Sequence, residues 1–332
     1  MESLIIIAIV VVLALSFDFI NGFHDTANAI ATSVSTRALS PRTAILLAAS
    51  LNFIGALTFT GVAKSIGGKV ADPATLDHGM QIIIAALIAA IIWNLVTWWY
   101  GIPSSSSHAL IGSMAGAVVS SAGFAGINAS GFTSIIKGLI LSPIIAFVVG
   151  FIVMKIIYFL FARANPRRVN RGFRSLQILT AAFQSFTHGT NDAQKAMGVI
   201  TFALVAGGLQ TDLEVPLWVK ISAATAMGLG TSVGGWKIIK TMSSKIFKIE
   251  PANGFAADLT SSSVILTATV TGFPVSTTHV VTSGILGVGA SKRFRDVKWD
   301  VAGKIVMTWF ITIPISALIA GITFQIIKFL FL

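Results

Sequence analysis

Of 332 residues, 55% are hydrophobic and only 11% are charged, against about 25% charged in a soluble globular domain, and this excludes an ordinary water-soluble fold. The net charge of +11 would suggest nucleic acid in a soluble protein. Here the basic residues sit mainly between apolar runs, as the positive-inside rule requires, so no nucleic-acid partner is expected. With no cysteine, disulfides and cysteine chemistry are excluded too.

Mean hydropathy is +0.86, and apolar runs long enough to span a bilayer recur from end to end. Ala, Leu, Ile and Gly dominate them, and the roughly ten-residue alternation of a membrane barrel is absent. The expected fold is therefore an all-α polytopic membrane protein of about 10–12 transmembrane helices, with the lipid bilayer as its solvent. Met1–Val12 has no basic leader and is read as the start of a first span rather than a signal peptide.

In chain order, Glu2–Thr36 is a helical stretch too long for a core of roughly 30 Å, so a break is expected at Asn21-Gly22. Arg37 and Arg42 flank a turn at Pro41, and Thr43–Ala63 makes a second span. A loop over 64–79 carries Lys64, Lys69, Asp72 and Asp77. Met80–Tyr100 is a third span, ending in Trp98, Trp99 and Tyr100 as interfacial helices do. Gly101-Ile102-Pro103 then introduces Ser104, Ser105, Ser106, Ser107 and His108, and Phe132–Phe161 forms a further span. Five arginines crowd 163–174, a basic connection that divides the chain into halves at 1–162 and 175–332.

The second half repeats the plan. Leu176–Ala206 carries an expected break at His188-Gly189, and an acidic loop with Asp212 and Glu214 follows. A span starts at Leu217, a basic loop covers 237–248, and a helix over 254–271 holds Asp258. Gly272-Phe273-Pro274 introduces Val275, Ser276, Thr277, Thr278 and His279, and a last span runs Val301–Phe331. Loops in matching positions carry opposite charge. Each half then crosses the membrane an odd number of times, so the halves are inverted repeats with interrupted helices, an architecture of secondary transporters. The basic loops go to the cytoplasm of a multi-pass inner (plasma) membrane protein, with both termini outside.

Two phrases are said twice. Gly22-Phe-His-Asp-Thr-Ala-Asn-Ala matches Gly189-Thr-Asn-Asp-Ala-Gln-Lys-Ala, with Asp25 opposite Asp192 and Asn28 opposite Lys195. Carboxylates beside apolar sequence need an ion or a polar cavity, and with Asn28 and Asn191 they form hard oxygen sites for a small cation, Na⁺ or a proton. Lys195 is open to pairing with an aspartate, to contact with an anion, or to a cation's place. His24 and Asp258 are further cavity candidates, and Asp18 a weaker one. The second phrase is Pro103 with Ser104–Ser107 and Pro274 with Ser276, Thr277 and Thr278. Hydroxyls at helix starts suit an oxyanion, although Ser and Thr also pack helices in lipid. No His-x-x-x-His spacing or Gly-x-Ser-x-Gly elbow is present, so neither a transition metal nor hydrolysis is expected, and the chain is read as no enzyme. A channel using the same helix termini is the rival, and Asp25 and Asp192 count against it.

These residues resemble the duplicated signature of the inorganic phosphate transporter family over the whole chain. The resemblance implies symport of inorganic phosphate with Na⁺ or H⁺ by alternating access, with Asp25 and Asp192 essential and no cofactor beyond the coupling ion. The chain departs from the first copy at Gln194-Lys195, as in bacterial members, among which proton coupling and metal–phosphate substrates occur; sulfate carriers share similar motifs. Between the cations the reading favours Na⁺, because amides ligate Na⁺ but do not relay protons. Oligomeric state, a homodimer included, stays open.

Overall fold

The computed structural model describes residues 2–71 and 76–331, and among them every regular element is helical, with no strand. The first half comprises α1 (Glu2–Ser35), α2 (Pro41–Ala56), α3 (Gly61–Lys69), α4 (Gly79–Tyr100), α5 (Ser106–Ala122) and α6 (Ala129–Leu160). The second comprises α7 (Pro166–Asp192), α8 (Gln194–Ala206), α9 (Leu217–Val233), α10 (Trp236–Lys240), α11 (Pro251–Val270), α12 (Thr277–Lys292) and α13 (Trp299–Phe331). Asp72 lies outside the described residues. The stretch from Ile5 to Val12, β-branched except at Ala8, is helical because a bilayer offers a lone segment no other partner for its backbone. By length and composition, α1, α4, α6 and α13 can each cross a membrane.

The termini follow their side chains. Ser40 caps α2 and is followed by Pro41, and Asn165 caps α7 and is followed by Pro166, where a proline gives up an N–H that had no helical partner. Gly101 closes α4 in the left-handed region, at φ 66°, which glycine adopts without steric cost. Most of the arginine-rich connection is the first turns of α7 rather than a loop, since that helix starts at Pro166.

Four expectations on helix limits are corrected. First, α1 runs unbroken for 34 residues, about 51 Å. Second, the interruption in the second half falls at Ala193, not at His188-Gly189. In both places the glycine serves close packing instead: a Cβ on Gly22 would lie 2.6 Å from the Met227 carbonyl oxygen on α9, and one on Gly189 would lie 2.3 Å from that of Asn52 on α2. Third, the second span divides into α2 and α3 around Leu57–Thr60. Fourth, the basic stretch 237–248 is mostly helical, as α10 and the π turn Thr241–Lys245.

The two halves have the same order of elements and exchange partners. α1 packs on α9 while α2 packs on α7, and α5 packs on α13 while α6 packs on α12. The ends exchange as well. Ser35 donates to the Ser243 carbonyl (2.9 Å), and Lys298 N–H donates to the Ile246 carbonyl (2.9 Å), gathering the basic segments at one end. Lys64, expected in a loop but lying in α3, pairs with Glu214 of the acidic loop. Apolar side chains form two cores, and between the halves lies a layer of buried polar groups.

Candidate functional site

Both signature segments sit in that layer, on α1 and at the α7–α8 junction, facing the starts of α5 and α12. Asp25 and Asp192 are 1% and 0% exposed. From them a closed ring of side chains can be followed atom by atom. Ser106 donates to Asp25 Oδ2 (3.3 Å) and accepts from Lys195 Nζ (2.8 Å). Lys195 Nζ also pairs with Asp192 Oδ2 at 3.1 Å. Thr277 donates to the same oxygen (3.2 Å) and accepts from Asn28 Nδ2 (3.5 Å). Asn28 reaches Thr278 (3.0 Å), whose hydroxyl returns to Asp25 Oδ1 (3.4 Å).

The ring draws two residues from each signature segment, two from the start of α12 and one from the start of α5, so no single half can form it. Folding alone supplies only the long-range order, and the hydrogen bonds then satisfy groups whose burial unpaired would cost several kcal/mol each. Two carboxylates face one ammonium, and Lys195 is the one Lys or Arg buried among the described residues. Ligand atoms of Asp25, Asp192 and His188 all lie within 4.8 Å of one another, a hard, anionic cluster fit for a small cation.

A second layer orients the ring. His24 Nδ1 is 2.6 Å from Asp25 Oδ1, and its Nε2 meets Thr97 (3.0 Å) and Ser104 (3.3 Å). Asn21 donates to Asp192 Oδ2 (3.3 Å), and His188 Nε2 stands 3.4 Å from that oxygen. The His188 ring is held through Nδ1 by Asn52 (3.1 Å), itself bonded to Thr231 (2.9 Å). Asp18 is fully buried, with no hydrogen-bond partner for either oxygen among the described residues. It interacts electrostatically with Lys195 and Asp192.

Of the seven hydroxyls read from the sequence, the ring gathers Ser106, Thr277 and Thr278. Ser105 and Ser276 are N-caps, accepting the backbone N–H of His108 (3.1 Å) and His279 (3.2 Å). Ser104 donates to Thr97 (2.8 Å), and Ser107 donates to the Val275 carbonyl (2.9 Å), tying the two Pro-hydroxyl segments together. Asn191 turns toward α11, where its amide meets Thr269 (3.1 Å). Asp258, on α11, lies away from the ring, accepting from Thr32 near the end of α1 (2.6 Å). His108 and His279 face each other behind the helix starts, with ring centroids 4.3 Å apart, and His279 stacks on Trp309.

Sequence reasoning missed Asn21, Thr97 and Thr231, and gave His188 no role. One signal was available: four residues and one residue before the aspartate, the first copy has Asn21 and His24, and the second has His188 and Asn191. The same two residue types change places around a matched carboxylate.

The sequence matches the phosphate transporter family over residues 21–320. It is 59% identical to a protein of Bacillus subtilis (strain 168) named "Probable low-affinity inorganic phosphate transporter", with all of both chains covered. A Rhizobium meliloti (strain 1021) protein of the same name is 46% identical, over 95% of this chain and 94% of that one. A solved structure described as "The sodium-dependent phosphate transporter" superposes with a TM-score of 0.90 at 25% identity, over 98% of this chain and 99% of that one. These relatives are named as transporters, in keeping with the expectation of a carrier rather than an enzyme. With its apolar spans and this match across nearly its whole length, the chain is a membrane protein that belongs to the phosphate transporter family.

Proposed function

We propose that this chain is a secondary active symporter that carries inorganic phosphate into the cell with Na⁺, by alternating access of two inverted repeats, 1–162 and 175–332. The observation that carries the reading is the ring: two buried carboxylates tied by hydroxyls to two helix starts. Phosphate binds between the starts of α5 and α12, where backbone N–H groups and the positive helix ends favour an anion and Ser106, Thr277 and Thr278 supply donors. Na⁺ binds beside it, chiefly at Asp25 with Asn28, and the ligand atoms that Asp25 shares with His188 and Asp192 offer a second place. Cation and anion lower the cost of burying each other. The exchange of partners between halves, with matching loops meeting at opposite ends, supports the inversion. The basic segments gathered at one end support a cytoplasmic location for that end, in the inner membrane.

Coupling follows from charge. At neutral pH phosphate is largely a dianion, and a negative-inside potential opposes its entry by about 2.3 kcal/mol per charge per 100 mV. At least two cations must accompany it to cancel that charge. The test is uptake into proteoliposomes at fixed pH with choline replacing Na⁺. Loss of uptake is expected; undiminished uptake that a protonophore abolishes assigns the coupling to H⁺.

A further inference from the structure

Two features break the symmetry of the ring: Thr278 belongs to it while its counterpart Ser107 turns to the Val275 carbonyl, and Lys195, opposite Asn28, bears a charge. Asn28 and Lys195 occupy matching places in the two signatures. Asn28 Nδ2 donates to Thr277, and Lys195 Nζ donates to Ser106, the hydroxyl at the start of the opposite Pro-hydroxyl helix in each case. Thr277 in turn donates to Asp192, as Ser106 does to Asp25. A neutral amide therefore suffices for the hydrogen bonding this place requires. What lysine adds is a full positive charge, 3.1 Å from Asp192 Oδ2 and 1% exposed. A buried ammonium costs several kcal/mol unless opposite charge surrounds it. That oxygen already accepts from Asn21 and Thr277, so it does not need Lys195 as a donor.

We propose that Lys195 is a tethered cation: its ammonium neutralises Asp192 in place of one coupling ion, and each transport cycle therefore moves one cation fewer than a carrier with Asn there. This rests on the symport reading above. The count is direct. Asp25 and Asp192 contribute −2 and Lys195 +1, leaving −1 before phosphate enters; with Asn the site holds −2. Whatever the charge on neighbouring Asp18, the difference is one. Cation–phosphate stoichiometry is thus set by a single side chain of the chain's second signature. It makes the first-signature aspartate, whose own ring neighbours are all neutral, the principal place for a mobile cation.

The experiment compares wild type with Lys195→Asn, Lys195→Gln and Lys195→Arg in proteoliposomes clamped at zero potential, with a tenfold inward gradient of the driving cation. Phosphate is followed to its limiting accumulation ratio. In detergent, the slope of log phosphate affinity against log cation concentration is measured on the same preparations. One extra coupled cation raises the accumulation ratio of the Asn and Gln variants tenfold over wild type and steepens the binding slope by about one, while Lys195→Arg keeps both wild-type values. An unchanged ratio and slope with a raised KM for phosphate overturns the inference, making the ammonium a phosphate ligand. So do folded Asn and Gln variants that bind no phosphate at any cation concentration. A wild type that accumulates no phosphate under either an Na⁺ or a pH gradient instead refutes the symport reading beneath it.

Discussion

Cutting the ring at two places gives a test that separates a connected device from a set of independent contacts. Asp25 and Asp192 are joined by two arcs, one through Ser106 and Lys195, the other through Thr277, Asn28 and Thr278. Ser106→Ala cuts the first and Thr277→Val the second; neither adds a heavy atom. Each removes a hydrogen bond to a charged group, worth roughly 1.5–3 kcal/mol, or about tenfold to about 150-fold in kcat/KM for phosphate uptake. After either single cut, the other arc still holds the carboxylates. After both, neither arc joins the two carboxylates, and each keeps only its own neighbours, His24 and Thr278 on Asp25 and Asn21, His188 and Lys195 on Asp192, so the double variant is expected to lose more than the product of the single losses, by a coupling of roughly 0.5–3 kcal/mol. The assay is initial uptake rate against phosphate concentration in proteoliposomes at matched protein content, with thermal unfolding alongside. Losses that multiply independently, to within about 0.5 kcal/mol, would refute the ring as a unit.

Three further outcomes are expected. Asp25→Asn and Asp192→Asn each abolish cation-driven accumulation of phosphate while yielding folded protein by size-exclusion chromatography; near-normal accumulation in either removes that aspartate from the site. Ser105→Ala and Ser276→Ala each remove an N-cap, lowering stability by roughly 0.5–2 kcal/mol, read as a fall in thermal midpoint. Gly189→Ala drives a Cβ toward the Asn52 carbonyl, whereas Gly172→Ala meets nothing within 4 Å. Thermal scans should show a large loss for the first and little change or a small gain for the second.

Much of this was legible in the sequence. The helical class follows from hydropathy, and the matched aspartates and Pro-hydroxyl segments drew attention to residues that do meet in the buried layer. The sequence misled where one residue type has two uses. Gly22 and Gly189 read as helix breakers, yet both are helical and admit a neighbouring backbone. A run such as Thr43–Ala63 has the length of a span, and nothing in its hydropathy marks the turn at Leu57–Thr60 that divides it. Ser105 and Ser106 are indistinguishable as letters. Only the exact start of α5 decides that one caps the helix and the other faces Asp25. The bond from Asn21 to Asp192 spans 171 positions, and no local pattern encodes a contact between halves.

The central claim is coupled transport through the buried ring, and uphill movement tests it most directly. Proteoliposomes start with equal phosphate on both sides and receive only an inward Na⁺ gradient at constant pH. Internal phosphate is expected to rise above the external concentration, and to stay at the starting level in the Asp25→Asn variant. Wild-type vesicles in which phosphate never exceeds the external concentration, while a phosphate gradient alone is dissipated freely, would contradict the account and leave a channel in its place.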